Sequence, residues 1–452
     1  MSESEDAGRA VRDYYGRGYY VRDTPADRAG RSSAVWLAWP PMAAVGVMQY
    51  GFGAAVPALM DRNGWSLVGA FSVLAAWAVC QAGVAFPAAW LRERNRISPR
   101  TLMLLGAVLC AIGVASLAHG PGLFGAVIGY ALLGGAGAGL VYSTCSTSVG
   151  KWHPDRVGAK VSLVTGAFAY GTVPFAVAAV VRLTPANLAF ALDATAILLL
   201  LVVAGFGVFF RDPPTDWWPA HIDPREWALQ HVPGRRANAP AVAQFSPGSA
   251  LRTKALPAMY LIVLAAGAVS LFNAAFVVVF AIRAGTAVAA IAVAVALFTA
   301  INGAGRSVVM RISNRLGRCR TLKLVLLVQA TGQLLLAMAS ASSSPGLLIV
   351  AAAVAGAGGG GFYPLFASLA RDYFGDRRAL EVHAMVYSAK AFAGVLGIGL
   401  AAVAVTAWGY PMTFLAAAAL SLVSAVAIAR LQRPGLPNTL PRMPAGAPRL
   451  AG

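Results

Sequence analysis

Gly134-Gly135-Ala136-Gly137-Ala138-Gly139-Leu140-Val141-Tyr142 has a counterpart in Ala355-Gly356-Ala357-Gly358-Gly359-Gly360-Gly361-Phe362-Tyr363. At an offset of 221, the separation of Gly135 from Gly356, Gly137, Gly139 and Tyr142 meet Gly358, Gly360 and Tyr363. Further along, Asp155-Arg156 meets Asp376-Arg377 at the same offset. A glycine ladder, a tyrosine and an Asp-Arg pair agreeing at one spacing mark an internal repeat, so the chain is two like halves. Both ladders lie inside apolar runs, and no G-x-x-x-x-G-K-[ST] is present. They are therefore close-packing helix surfaces and not phosphate cradles.

Around these ladders the composition is that of a membrane protein: 58% hydrophobic and 12% charged over 452 residues, with mean hydropathy +0.67. A helix needs roughly 20 apolar residues to cross a bilayer, and such runs recur throughout. Six precede the middle, at Val35 to Leu59, Ser66 to Trp90, Thr101 to Ala118, Gly122 to Ser148, Gly158 to Val181 and Leu188 to Phe210. Six follow, at Ala258 to Ile282, Ala287 to Met310, Leu322 to Ser340, Gly346 to Leu369, Val382 to Trp408 and Met412 to Ile428. The pattern predicts an all-α membrane protein of about twelve transmembrane helices in two six-helix pseudo-symmetric halves, 34–210 and 257–430. The stretch 211–256, with Pro213, Pro214, Trp217, Trp218 and Pro219, is too charged for lipid and is expected as a central cytoplasmic loop. The tail 1–33, rich in Tyr, Arg and Asp without apolar periodicity, is expected to be disordered, and 431–452 to be a cytoplasmic tail.

The net charge of +19 does not point to nucleic acid, because the basic residues fall between apolar runs and form no single face with stacking aromatics. Of the 36 Lys and Arg residues, Arg62, Arg182 and Arg283 fall on one side, Arg306 and Lys390 within helices, and the rest on the other side. By the positive-inside rule both termini are cytoplasmic in an inner-membrane protein. The first apolar run is long enough to span and follows a polar tail, so it is a helix and not a cleaved signal. Cys80, Cys110, Cys145 and Cys319 are scattered, with no C-x-x-C spacing, and predict neither disulfide nor metal. No catalytic or nucleotide-binding motif supports an enzyme or an ATP-driven pump, and no cofactor is expected.

An ionisable group in the bilayer interior costs at least about 2.5 to 3.5 kcal/mol and needs a reason. At a rise of ~1.5 Å per residue, Lys390 lies ~15 Å from the start of its helix, near the midplane and too deep to snorkel comfortably. Arg306 lies ~10 Å from the basic end, on a helix face shared with Thr299 and Asn302. Snorkelling could serve Arg306, but the polar stripe favours an aqueous cavity. His383, Tyr387 and Lys390 make a similar face on the eleventh helix, with His383 at the cavity entrance. Gln49, Tyr50, Gln81, Tyr142, Tyr170 and Tyr363 could each be interhelical packing, or together wall a small polar chamber.

These residues carry a resemblance. Asn63-Gly64-Trp65-Ser66, Lys151-Trp152-His153-Pro154-Asp155-Arg156 and Pro213-Pro214 with Trp217 resemble the G-W-S, K-W-F-P-D-x-R and P-P-x-G-W motifs of the oxalate/formate antiporter family of the major facilitator superfamily. Asn302-Gly303-Ala304-Gly305-Arg306, Asp372-Tyr373-Phe374-Gly375 and Tyr387-Ser388-Ala389-Lys390 resemble its N-G-x-G-R, D-Y-F-G and Y-T-A-K. The resemblance implies that Arg306 and Lys390 bind substrate carboxylates, with Gln49, Tyr50, Gln81, Tyr142, Tyr170 and Tyr363 lining the chamber. Two places depart from the family. Arg94 to Arg100 lacks the acidic D-x-x-G-x-R pattern, and Asn314 replaces the expected Asp in the loop between the eighth and ninth helices.

The expected function is exchange of small carboxylate anions by alternating access, by a protein acting as a monomer in the lipid bilayer. The alternative is a proton-coupled monocarboxylate symporter, in which Asp193, Glu381 or His383 would carry the proton. A receptor reading finds no soluble sensor domain to support it, and a channel should show conductance without counter-substrate.

Overall fold

Lipid offers no hydrogen bonds to the backbone, so each apolar run has to satisfy its own amides, and in this computed structural model the runs are helices. The structure describes residues 8–13, 18–94, 96–230, 238, 241, 243–342, 344–375 and 378–434. The first half holds α1 (Pro25–Asn63), α2 (Leu67–Glu93), α3 (Pro99–His119), α4 (Gly122–Trp152), α5 (Val157–Arg182) and α6 (Leu188–Gly207). The second holds α7 (Ala255–Arg283), α8 (Val288–Leu316), α9 (Arg318–Ser342) and α10 (Pro345–Phe374), then one run, Ala379–Arg430. That run is 52 residues long. At ~1.5 Å per residue it is more than twice the hydrocarbon thickness. It turns at Gly409, whose φ of 77° is open to glycine, and so supplies two passes, α11 (379–408) and α12 (410–430).

Sequence sets the helix ends. Thr24 and Asp27 form a reciprocal capping box ahead of Pro25, and Ser98 and Ser344 cap α3 and α10 ahead of Pro99 and Pro345. Gly64, at φ 69°, ends α1 in a left-handed turn.

The glycine ladders pack as the repeat predicts. A Cβ on Gly135 would stand 2.8 Å from the Trp77 carbonyl oxygen, and one on Gly139 would meet that of Gln81. In the other half, a Cβ on Gly356 would stand 2.5 Å from the Phe298 carbonyl oxygen, and one on Gly360 would meet that of Asn302. The offset that joins the ladders also joins Trp77 to Phe298 and Gln81 to Asn302, so α4 lies on α2 as α10 lies on α8. Asp376 and Arg377, the second half's Asp-Arg pair, lie outside the described residues.

The halves also meet where one side presents a glycine. A Cβ on Gly53 of α1 would lie 2.5 Å from the Ala275 carbonyl oxygen of α7, and one on Gly394 of α11 would lie 2.5 Å from Ala78 Cβ of α2. On α5, a Cβ on Gly166 would lie 2.7 Å from the Gly303 carbonyl oxygen of α8.

The amino-terminal segment departs from expectation. Strands β1 (Arg9–Arg12) and β2 (Gly18–Arg22) pair antiparallel, and β2 pairs in parallel with β3 (Trp217–Pro219) of the central loop. Residues 8–13 and 18–33 are thus ordered, because aromatic residues of the loop give them a surface. Tyr19 lies 4.6 Å from Trp218, and Trp217 packs edge-on against Trp152 at 5.3 Å between ring centres. Arg31 then binds Asp155 at 2.8 Å and the Trp152 carbonyl at 3.1 Å. These contacts gather the amino terminus, the loop and the ends of α1, α4 and α6 at the basic end of the bundle.

Candidate functional site

Local irregularity puts the polar groups in place. A π-helical turn, Val47–Gly51, interrupts α1 and carries Gln49 and Tyr50, both buried. On α11 the regular helix breaks at Ser388, between Tyr387 and Lys390. Such breaks redirect side chains that a straight helix would place elsewhere, and they concentrate at functional sites.

Lys390 is 3% exposed and Arg306 2% exposed. Arg306 does not snorkel to the basic end: its Nη1 donates to the Thr165 carbonyl of α5 at 2.7 Å, across the Gly166–Gly303 contact. Tyr363 offers its ring face to the guanidinium at 5.9 Å. Lys390 Nζ donates to Gln49 Oε1 at 2.7 Å and to Tyr387 Oη at 3.5 Å. Around it stand the rings of Phe168, Tyr387 and Trp77, at 5.5, 5.7 and 5.8 Å. Aromatic faces favour a cation but do not neutralise it.

Tyrosines connect the two cations. Tyr142 stacks on Tyr387 at 5.5 Å, and Tyr363 stands 6.0 Å from the same ring, so the two repeat-related tyrosines flank one partner. Gln81 Nε2 donates to Tyr387 Oη at 3.3 Å, and Tyr50 Oη to Asn302 Oδ1 at 3.0 Å. Arg306 Nε, Asn302 Nδ2 and Tyr363 Oη are buried without a partner. Among the described residues no carboxylate makes an ion pair with Arg306 or Lys390. Two buried cations and spare donors suit a ligand that is anionic and rich in acceptor oxygens.

Gln49, Tyr50, Gln81, Tyr142, Tyr363, Arg306 and Lys390 thus converge. Tyr170 hydrogen-bonds outside this group, accepting from Trp39 Nε1 at 2.7 Å and donating to the Leu163 carbonyl at 3.1 Å. Its ring supports the α5–α8 crossing beside Gly303. Thr299, expected on the polar stripe, bonds back to Val295 in its own helix. Tyr387, Trp77, Phe168 and Asn302 join the chamber. Tyr387 and Asn302 were visible in the helical faces named above, whereas Trp77 and Phe168 look like ordinary packing residues in sequence.

The acids invoked by the symport alternative are elsewhere. Asp193 pairs with His119 at 2.9 Å, both partly exposed. Glu381 sits at the start of α11, bound by Arg94 at 3.0 Å and Arg378 at 3.2 Å. His383 is half-buried, with its ring 6.0 Å from Tyr387 and a buried Nδ1 without a partner. The atypical loops are also engaged: Arg94 makes that ion pair with the other half, and Asn314 accepts from Arg318 at 2.8 Å. Below α4, Asp212 binds Arg92 at 2.8 Å and Lys151 at 2.7 Å. Burial alone would raise its carboxyl, but these two cations outweigh it and hold the group at about 2.

A family model described as Major Facilitator Superfamily matches residues 42–330 and 258–451. An uncharacterized 38 kDa protein in the 23S RNA operon of Thermoproteus tenax is 30% identical over 76% of this chain and 81% of its own length. The oxalate:formate antiporter of Oxalobacter formigenes is 24% identical over 88% of this chain and 90% of its own. Among solved structures, the proton:xylose symporter XylE superposes with a TM-score of 0.65 at 15% identity, over 89% of this chain and 96% of that one. The human organic anion transporter MFSD10 superposes with a TM-score of 0.56 at 16% identity, over 90% and 100%.

Proposed function

The chain belongs to the major facilitator superfamily, and from that premise we propose that it exchanges small carboxylate anions of the oxalate/formate type by alternating access. One observation carries the reading: Arg306 and Lys390 are buried between the halves and, among the described residues, have neutral hydrogen-bond partners only. An anion bound there replaces neutral acceptors by charged ones, and charge-assisted hydrogen bonds are roughly twice as strong. The relative named for oxalate and formate supports the substrate class. Arg306 and Lys390 both come from the second half, whereas Gln49, Tyr50, Gln81 and Tyr142 come from the first. Closure on a ligand therefore joins cations of one half to a polar wall of the other.

In this reading both termini are cytoplasmic in an inner membrane, and the monomer is the transporting unit. The basic end, where β1, β2 and β3 lie, faces the cytoplasm by the positive-inside rule. The test is counterflow in proteoliposomes. Labelled oxalate, formate and larger carboxylates should accumulate against unlabelled internal carboxylate and not against chloride. Accumulation driven by an imposed pH gradient, without internal anion, would place the proton-coupled reading ahead.

A further inference from the structure

Within the first half, toward the end away from the basic face, lies a cavity of about 340 Å³ that the anion chamber does not use. Met48 and Phe52 of α1, Val114 and Leu117 of α3, Phe175 of α5 and Leu192 of α6 are among its walls. The volume is that of a ligand site, and the lining is apolar. Its polar side chains, with one exception, are spent on the protein itself. Tyr130 donates to the Met48 carbonyl, and Thr195 donates to the Ala191 carbonyl at 2.7 Å. Asn187 donates to the Arg182 carbonyl at 2.9 Å and accepts from the Thr184 amide at 2.9 Å. Water needs two to four polar partners, so a space lined in this way favours hydrocarbon. It also borders the outer surface of the bundle, because Phe190 of α6, one of its walls, is 78% exposed.

The exception is Arg182. It is exposed at the rim of the cavity, and among the described residues its guanidinium makes no hydrogen bond or ion pair. Its depth matters. α5 starts at the basic end and runs 26 residues to Arg182, its last, which at ~1.5 Å per residue is ~39 Å. That nearly matches the roughly 40 to 45 Å of a bilayer with its headgroups, so the guanidinium stands at the level of the far leaflet's phosphates. We propose that the cavity is a binding site for an anionic phospholipid of the surrounding bilayer, with one acyl chain inside and the phosphate on Arg182. A guanidinium matches phosphate oxygens in a two-bonded fork. The nearby carboxylate, Asp193 of α6, is taken by His119 at 2.9 Å, so the site has no free acid for the ammonium of a zwitterionic headgroup. One turn of α1 serves both sites: Gln49 and Tyr50 belong to the chamber, Met48 and Phe52 to the wall behind it. The lipid site depends neither on the anion carried nor on exchange.

The test uses the full chain in phosphatidylcholine nanodiscs doped with phosphatidylglycerol that bears a diazirine in its acyl chain. After illumination, adducts are mapped by peptide mass spectrometry. They should concentrate in segments 47–55 and 188–195, and unlabelled phosphatidylglycerol should suppress them. Excess inorganic phosphate should not. A phosphatidylcholine probe with the same diazirine should label the two segments at least about tenfold less, and Arg182→Gln should lower the phosphatidylglycerol yield by about tenfold, the worth of one charge-assisted hydrogen bond. Arg182→Lys should stay within about threefold of wild type, since it keeps the charge. Adducts spread evenly over the lipid-facing helices, a yield unchanged by Arg182→Gln, displacement by inorganic phosphate, or equal labelling from phosphatidylcholine would each overturn the site.

Discussion

Replacing Lys390 by glutamine should uncouple return of the empty carrier from the supply of anion. Lys390 is 3% exposed and, among the described residues, hydrogen-bonded by Gln49 and Tyr387 alone, so closing the site without an anion encloses an unneutralised ammonium. Desolvating such a group costs several kcal/mol even after relaxation. If ~4 kcal/mol of it stands as an extra barrier, the empty carrier returns about a thousandfold more slowly than the loaded one, since 1.36 kcal/mol is tenfold in rate. Lys390→Gln removes that charge and leaves Arg306, so the ratio of exchange to net efflux should fall to roughly tens. Losing one charged hydrogen bond to the anion, worth about 1.5 to 3 kcal/mol, should raise KM by about ten- to a hundredfold. The assay is efflux of labelled oxalate from proteoliposomes, with and without external unlabelled oxalate, at clamped pH and voltage. Wild-type efflux into substrate-free buffer as fast as exchange would refute the reasoning, as would a Lys390→Gln chain that keeps the wild-type ratio.

Gly166→Val should lower the thermal midpoint of the purified protein by an overpacking cost of ~1–3 kcal/mol and abolish transport, because its Cβ would stand 2.7 Å from the Gly303 carbonyl oxygen. Gly305→Ala is the control, with its nearest neighbour at 4.0 Å. Asp212→Asn should cost ~2 kcal/mol near neutral pH, because the folded-state carboxyl is held at about 2 against an unfolded value of about 3.9. That stabilisation is complete above the unfolded value and is lost as pH falls from about 4 toward about 2, so melting curves of variant and wild type should converge over that window. Organic amines should not compete with oxalate, since they would leave both cations unneutralised; inhibition by an amine in the counterflow assay would contradict the anion site.

Much of this architecture was legible because helix contacts repeat at short range. Gly135, Gly137 and Gly139 announce a flat helix surface, and the 221-residue copy announces a second one without any knowledge of what lies on them. Arg306 and Lys390 stood out because charge in an apolar helix is expensive, a property of the residue and its depth alone. What lay beyond reading was pairing at a distance. Gln49 meets Lys390 across 341 positions, and Arg94 meets Glu381 across 287. The ordered amino terminus escaped for the same reason: Tyr19 and Tyr20 acquire a partner surface only when Trp217 and Trp218 are folded back onto α4. Tyr170 shows how a side chain can fit two roles. An aromatic with a hydroxyl on an apolar helix fits a chamber wall equally well as a prop between α5 and α8, and only packing against Gly303 tells them apart.

The places where the two halves touch bear on how cheaply they can move. Rigid bodies whose interface is an interlock of large side chains must exchange rotamers to shift, and each exchange adds a barrier of its own. Gly53 on Ala275, Gly394 on Ala78 and Gly166 on Gly303 present almost nothing that can interlock. At each of these contacts the partner is a carbonyl oxygen or a single methyl group. The steps that do need side chains to exchange partners lie elsewhere on the joint, where Tyr142 stacks on Tyr387 and Gln49 holds Lys390.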